Sequence, residues 1–286
     1  MLLAAALLAA VARIPDTAAA GSSTPRAPET CPPAAGELSA VVRLIDPSTL
    51  ALADGTELLF SGLLPPSIHD IPGKAKERLH HWTPERDARQ ALEQLTQSGR
   101  IRLSQDGATH DRYGRRVAHA HTEDANGTRT WLQGALVEEG HARVAPLPNR
   151  LHCLQALLQR EAVARTTRKG LWQNPAYAIR DARDTQTLTQ LTGTFQIIEG
   201  WVVATGASRR EVFLNFGRNW RWDFTAAVVL PRGGDRAALS KRLKALEGGY
   251  VRVRGWLVKR NGPFIALAGA EAIEELPEGL GSADMR

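Results

Sequence analysis

Side chains able to do chemistry gather at a few points along the chain. Asp111-Arg112-Tyr113-Gly114-Arg115 sets a carboxylate and two guanidinium groups around a turn, and a planar guanidinium is the side chain best shaped to meet a phosphate. The same residues also suit a tight turn with a left-handed glycine, in which Arg115 does no more than pair with a neighbouring carboxylate. His69, Asp70, Glu77, His80 and His81 crowd one irregular segment and include the residue types of a general base. His119 and His121 alternate along one strand and therefore share a face. That face would either hold a metal, given a third ligand, or lie exposed. Farther on, Arg209, Arg210, Arg218, Arg221, Arg252 and Arg254 are interleaved with Trp220 and Trp222. Arginines for phosphates and flat rings for bases suit single-stranded nucleic acid. The plainer alternative is core tryptophans and a solvated arginine face. Arg252 and Arg254 alternate with Val251 and Val253, so their face is expected to be wet.

Those residues need a scaffold, and the punctuation of the chain outlines one. Residues 38–45 are β-rich and end at Asp46-Pro47, because proline cannot continue a ladder. Residues 49–53 follow, and Asp54-Gly55 supplies a two-residue hairpin turn before the strand 56–60. Pro65, Pro66, Pro72 and Gly73 break the next segment. A helix is predicted over 83–97, with Thr83 as its cap and Pro84 in its first turn. Strands at 100–103 and 116–121 flank the Tyr113-Gly114 turn, and helices are predicted over 130–139 and 151–168, each stopped by a glycine, Gly140 and Gly170. Residues 174–190 are polar and read as a linker. From 191 to 276 the pattern is strands at 194–203, 211–217 and 222–230, a helix at 236–246, then strands at 250–258 and 264–267. Five strands with a helix between the third and fourth is the order of an OB fold.

Asp111-Arg112-Tyr113-Gly114-Arg115 resembles the Asp-x-Tyr-Gly-Arg signature of the staphylococcal-nuclease-like (thermonuclease) family. Gly170-Leu171-Trp172 is similar to the segment that ends the family's last helix. The resemblance covers residues 38–172. It implies a mainly β fold with α, an SNase-like OB barrel carrying three helices, here followed by a second OB-fold-like β-barrel. It also implies a calcium-dependent phosphodiester hydrolase. That activity would rest on an Asp-x-Asp-Thr turn, an Arg followed by a second metal carboxylate, a Glu base after the next proline, and the signature Arg. Position by position, Asp46 matches the first Asp and Thr49 the Thr, but the second Asp falls on Ser48, the Arg on Leu59, the second carboxylate on Leu64 and the Glu base on Ser67. Arg115 is retained. Calcium asks for six to eight oxygen ligands, so Ser48 and Leu64 remove the family's site and no cofactor is expected. Loss of a general base alone costs about 10²–10⁴ in rate.

The 286 residues are enough for two domains with separate cores. Lys and Arg total 36 against 30 Asp and Glu, a net charge of +6 and a pI near 9.7, which favours polyanionic partners without choosing one. Residues 1–12 are apolar but too short to span a bilayer, and Ala18-Ala19-Ala20 follows, the pattern of a signal peptide ending near residue 20, although no basic residue precedes Arg13. A lead-in at 21–36 rich in Pro, Ser and Ala and a tail at 277–286 complete the division. Export to the periplasm or beyond is therefore expected, with no later membrane span. Cys31 and Cys153, the chain's two cysteines, would in an oxidising compartment form one disulfide between lead-in and third helix, or else remain a stray and a buried thiol.

The function expected from these residues is that of an exported thermonuclease-like protein whose hydrolytic set has degenerated. Its two barrels would bind single-stranded nucleic acid through Arg112, Arg115, Arg218, Arg221, Arg252 and Arg254. Two other readings stand beside it. One is an active metal-dependent phosphodiesterase rebuilt around Asp46, His69, Asp70 and Arg115; the other is a protein-interaction module of the cell envelope. Metal-dependent cleavage would select the enzyme, and salt-sensitive binding without cleavage the binding module.

Overall fold

The computed structural model describes Cys31 and residues 38–71, 83–230 and 232–277. The expected signal peptide, nearly all of the lead-in and all but the first residue of the tail lie outside the described residues. Strands β1 (Leu38–Asp46), β2 (Thr49–Leu52) and β3 (Glu57–Phe60) make the antiparallel meander that the turn residues predict. After β4 (Leu63–Leu64) come helix α1 (Thr83–Leu95) and strands β5 (Arg100–His110), β6 (Arg116–Glu123) and β7 (Arg129–Trp131). Helix α2 (Leu132–Glu138), strand β8 (Arg143–Val144) and helix α3 (Leu154–Thr166) follow.

Sheet pairing runs β3-β2-β1-β5-β6, and β6 returns to pair in parallel with β3, Leu59 opposite Val117. This closes a five-strand barrel. Leu50, Leu58, Phe60 and Ile101 fill it, and Leu92, Leu136 and Leu157 cap it from the three helices. Full burial of such side chains contributes about 1.5–3 kcal/mol each. The helices are shorter than expected, for local reasons. Residues 129–131 are drawn into the ladder beside β6, and Cys153, at φ 61°, breaks the helical run before Leu154. Gln133 on α2 is fully buried; it accepts from the Ala120 amide and donates to the Ala118 carbonyl, extending the β6 ladder by one side-chain amide. Gly140 and Gly170 cross so closely that a Cβ on Gly140 would stand 2.2 Å from the Lys169 carbonyl oxygen. No other residue fits there, and the Leu171 amide donates to the Gly140 oxygen across the contact.

The rest of the chain builds an eight-stranded mixed sheet. Its elements are β9 (Arg180–Asp181), α4 (Thr185–Gln190), β10 (Phe195–Trp201), β11 (Ala204–Ala207), β12 (Glu211–Asn215), β13 (Thr225–Val229), α5 (Arg236–Lys244), β14 (Tyr250–Arg260), β15 (Gly262–Leu267) and β16 (Glu274–Leu276). The order is β11-β12-β13-β15-β14-β10-β9, with β16 on β14 and with β13 and β15 parallel. Ile198, Leu214, Phe224, Val253 and Ile265 lie in its core. No helix among the described residues is long and apolar enough to cross a membrane.

Three expectations need correction. Residues 174–190 are not a bare spacer: β9 pairs with β10, and Ala182 and Leu188 are buried in the second core. Trp222 belongs to the turn before β13, not to the strand. Most importantly, Arg252 and Arg254 do not line a wet face. From Tyr250 to Gly255 both faces of β14 are buried, and the carboxylates of Glu161 on α3, Glu199 on β10 and Glu274 on β16 lie against the two guanidinium groups and neutralise them. Arg252 and Arg254 are 7 % and 2 % exposed and are unavailable to a nucleic acid.

Candidate nucleic-acid interface

The β5–β6 connection holds the signature residues in a fixed turn. Gly114 takes φ 82°, which the backbone needs to reverse direction there. Asp111 Oδ1 accepts from the amides of Tyr113 (2.9 Å) and Arg115 (3.0 Å), and its Oδ2 meets the Arg115 guanidinium at 2.8 Å. Burial works to raise the Asp111 carboxyl, but the Arg115 side chain and the two amides outweigh it and hold the group below its usual range. Tyr113 projects outward, 68 % exposed, with Arg112 and Arg115 4.7 and 5.6 Å from its ring centre. Arg115 is therefore closed into an ion pair within its own loop.

The upstream positions lie beside this turn. Thr49 pairs with Leu59 and Leu59 with Val117, so the Asp46 turn, the middle of β3 and the start of β6 are neighbours across the barrel rim. Asp46 Oδ1 accepts from both the amide (2.7 Å) and the hydroxyl (2.8 Å) of Ser48, which closes that turn on itself. Leu59 and Leu64 are half-buried hydrocarbons, and Leu64 stands opposite Arg143. Ser67 caps the 3₁₀ turn Ile68–Asp70, accepting from the His69 amide while Asp70 receives the Ser67 amide. The set therefore offers one carboxylate, already engaged by Ser48, beside a hydroxyl and two leucines.

Residues 70–174 match the family model described as staphylococcal nuclease homologue. Together with the closed barrel, that match supports an SNase-like domain. No curated protein matches the chain. The match begins at Asp70, downstream of Asp46, Ser48, Leu59, Leu64 and Ser67, so it covers the part of the domain in which the signature is intact.

The other polar candidates of the SNase-like domain are separated by the fold. His69 is exposed, whereas Asp70 turns inward to pair with Arg143 at 2.8 Å and to accept from the Tyr177 hydroxyl at 3.0 Å. Glu77, His80 and His81 lie outside the described residues. His119 and His121 are buried rather than exposed, packed on Trp131, with His119 Nε2 3.2 Å from the His152 carbonyl. Burial, together with the nearby His119 and Arg129, pushes His121 below its ordinary value. Cys31 and Cys153 form a disulfide with Cα atoms 5.2 Å apart, and their sulfurs lie with His119 in a cluster 4.8 Å across. Joined to each other, those sulfurs are not the thiolates a metal would take.

The second sheet presents a different surface. Between β12 and β13 the Asp223 carboxylate accepts from the Asn219 amide at 2.8 Å, and it packs where a Cβ on Gly217 would clash at 2.1 Å, so the turn is rigid. It holds Trp220 and Trp222 outward, 53 % and 70 % exposed, beside exposed Arg218 and Arg221, with Arg221 5.3 Å from the centre of the Trp220 ring. Trp220 also borders a groove of about 350 Å³ floored by Phe213, Asn215, Thr225 and Phe264. Arg260 covers both phenylalanine rings, at 5.6 and 4.6 Å, and Glu211 fixes it through two bonds of 2.6 Å. Phe213, Phe264 and Arg260 escaped the sequence reading. The available signal was Phe213 and Asn215 alternating with Val212 and Leu214, an aromatic on the solvent face of a strand.

Proposed function

We propose that the protein is an exported, non-catalytic binder of single-stranded nucleic acid, with an SNase-like domain that serves as scaffold and a second domain that carries the contact surface. The observation that supports this most is the rigid outward turn bearing Trp220 and Trp222 among Arg218 and Arg221, next to the Phe213–Phe264–Arg260 groove. Exposed aromatics cost solubility unless something stacks on them. Rings alternating with guanidinium groups offer bases a π-face and phosphates a counter-charge. We also read the second sheet as an OB-like barrel. Only Val202 and Val203 separate β10 from β11, so the two act as one strand that meets β14 at one end and β12 at the other. The groove would then lie on the outer face of the sheet's second and third strands. The apolar opening segment supports export to the periplasm or the medium.

Against hydrolysis stand Ser48, Leu59, Leu64 and Ser67 at the family's ligand and base positions, with Arg115 held by Asp111. The test is fluorescence anisotropy with a labelled oligothymidylate, beside cleavage assays in calcium, magnesium, manganese and chelator. Binding that survives chelation, weakens with salt and falls about 5- to 100-fold in Trp220→Ala/Trp222→Ala is expected. Metal-dependent cleavage that disappears in Arg115→Ala would overturn the reading in favour of a rebuilt nuclease.

A further inference from the structure

A second basic site lies where the two domains meet. Beside the buried ion pairs opens a cleft of about 450 Å³ whose wall carries Arg165, Arg168 and Arg180, the apolar Trp172 and Ile179, and the single carboxylate Glu199. The charges on this wall do not balance. Glu199 is already held by Arg252 at 2.7 Å. Arg165 reaches Glu161 only at 3.5 Å, on the oxygen that Arg254 holds at 2.6 Å. Half-buried Arg180 donates to neutral acceptors, the carbonyls of Pro175 (3.2 Å) and Ala176 (3.1 Å) and the Gln196 amide oxygen (3.4 Å). Arg168, exposed and at φ 51°, makes no ion pair among the described residues. A partly desolvated guanidinium whose counter-charge is shared or distant, as Glu161 is for Arg165 and Asp184 for Arg180, is less well compensated than one in a close pair. Burial and then the neighbouring Arg252 push Arg165 below its ordinary value, and burial does the same to Arg180. An anion in the cleft would relieve that cost.

The shape narrows the anion. The cleft is larger than a bare phosphate needs and falls in the size range of small-ligand sites. Its lining combines guanidinium forks with an indole and an isoleucine, and Arg165 lies 5.9 Å from the centre of the Trp172 ring. We propose that this cleft binds a phosphate monoester of a nucleoside, with the phosphate on Arg168 and Arg180 and the base against Trp172. The site is distinct from the Trp220 groove and does not depend on the reading given to that groove.

The experiment is isothermal titration of the full chain with dTMP, thymidine and inorganic phosphate. The expected result is one dTMP per chain, bound about tenfold or more tightly than either fragment, with affinity falling about tenfold in Arg168→Gln. Arg180→Gln should lose at least as much, but Arg180 also braces the 175–176 carbonyls, so exposed Arg168 supplies the variant expected to leave the fold intact. Thymidine or phosphate binding as tightly as dTMP would overturn the proposal, as would unchanged dTMP affinity in Arg168→Gln. Loss of dTMP binding in Trp220→Ala with none in Arg168→Gln would move the ligand to the outer groove and also overturn it. Oligonucleotide binding that is unchanged in the Trp220 and Trp222 variants would count against the outer groove alone.

Discussion

At the signature turn Arg115 and Asp111 meet within one loop, their side chains 28 % and 18 % exposed. At the domain seam Arg254 and Glu161 meet from opposite domains, and neither side chain is exposed at all. The residue types are the same, yet the two pairs answer to different physics. The local pair is partly hydrated and positioned by its own backbone, so its partners lose little if parted. The seam pair exists only because two domains enclose it. Arg254 also donates to the Val144 carbonyl and pairs with Glu274, and Glu161 accepts from the Val144 amide, so every charge there is compensated. Burial works against the Arg254 cation, but the two glutamates outweigh it and raise its pKa further; in return Arg254 and Arg252 hold Glu274 below its usual range against burial. Enclosure thus commits Arg252 and Arg254 to structure at the seam, while Arg218 and Arg221 on the second sheet stay exposed.

The sharpest way to break this comparison is Arg254→Ala. It leaves buried Glu161 with only the longer contact to Arg165 at 3.5 Å and Glu274 with only Arg252 at 3.2 Å, and removing one partner of a buried pair destabilises by about 3–5 kcal/mol. Urea titration should show that loss as a lowered midpoint. A shift worth less than about 1 kcal/mol would mean that water reaches the seam and that the two pairs differ only in degree.

Next in size is the disulfide. Cys31 and Cys153 are 122 residues apart, so their bond restricts a long loop of the unfolded chain. Removing a native disulfide of this kind costs about 2–5 kcal/mol. Cys153→Ser should lower the midpoint by a comparable amount to Arg254→Ala, and the double variant should show the sum if the tether and the seam act independently. A deficit well beyond the sum would mean that the tether on α3 helps hold Glu161 in place.

A smaller effect separates the domains by pH. His121 and His141 are both pushed below their ordinary value of 6.5, in each case chiefly by burial. The unfolded chain therefore takes up protons at pH values where the folded chain refuses them. Stability from these groups is fully present above about 6.5 and is lost as the pH falls below it. Urea midpoints measured from pH 8 to pH 5 should decline, and His121→Gln should flatten part of the slope. An unchanged slope in that variant would assign the pH dependence to other groups.

How far the sequence could be read follows from where each interaction closes. Asp54-Gly55, the start of α1 at Thr83-Pro84 and the Asp111–Arg115 turn are set within a few residues, and each lies where local chemistry puts it. The seam is not local. Arg252 and Arg254 alternate with Val251 and Val253 as a solvated face would, and nothing nearby says that α3 will cover them. One signal was present: Glu161 falls in register with Leu154, Leu157 and Leu158 on the apolar side of α3, and a carboxylate in a core stripe must find a cation. Trp220 and Trp222 were recognisable as aromatics among arginines, but their exposure depends on the Asp223 turn, which strand periodicity concealed. The family positions Ser48, Leu59, Leu64 and Ser67 were legible one by one. Their closure into self-contained turns needed coordinates.

The smallest expected effect tests the other side of the comparison. Arg115→Ala breaks an ion pair that is local and partly exposed, so the cost to stability should stay within about 1 kcal/mol. Its clear readout is Asp111. With the guanidinium gone, two backbone amides still favour the carboxylate while burial opposes them, so its titration midpoint should rise toward the ordinary range without reaching that of a buried, unbonded acid. Carboxyl-carbon NMR across pH 2–6 measures this directly. Oligothymidylate affinity should change far less than in Trp220→Ala/Trp222→Ala, since Arg115 is already occupied. A drop in affinity equal to that of the tryptophan variants, with Asp111 unmoved, would mean that Arg115 leaves Asp111 to hold phosphate. The rim of the SNase-like domain would then belong to the binding surface after all.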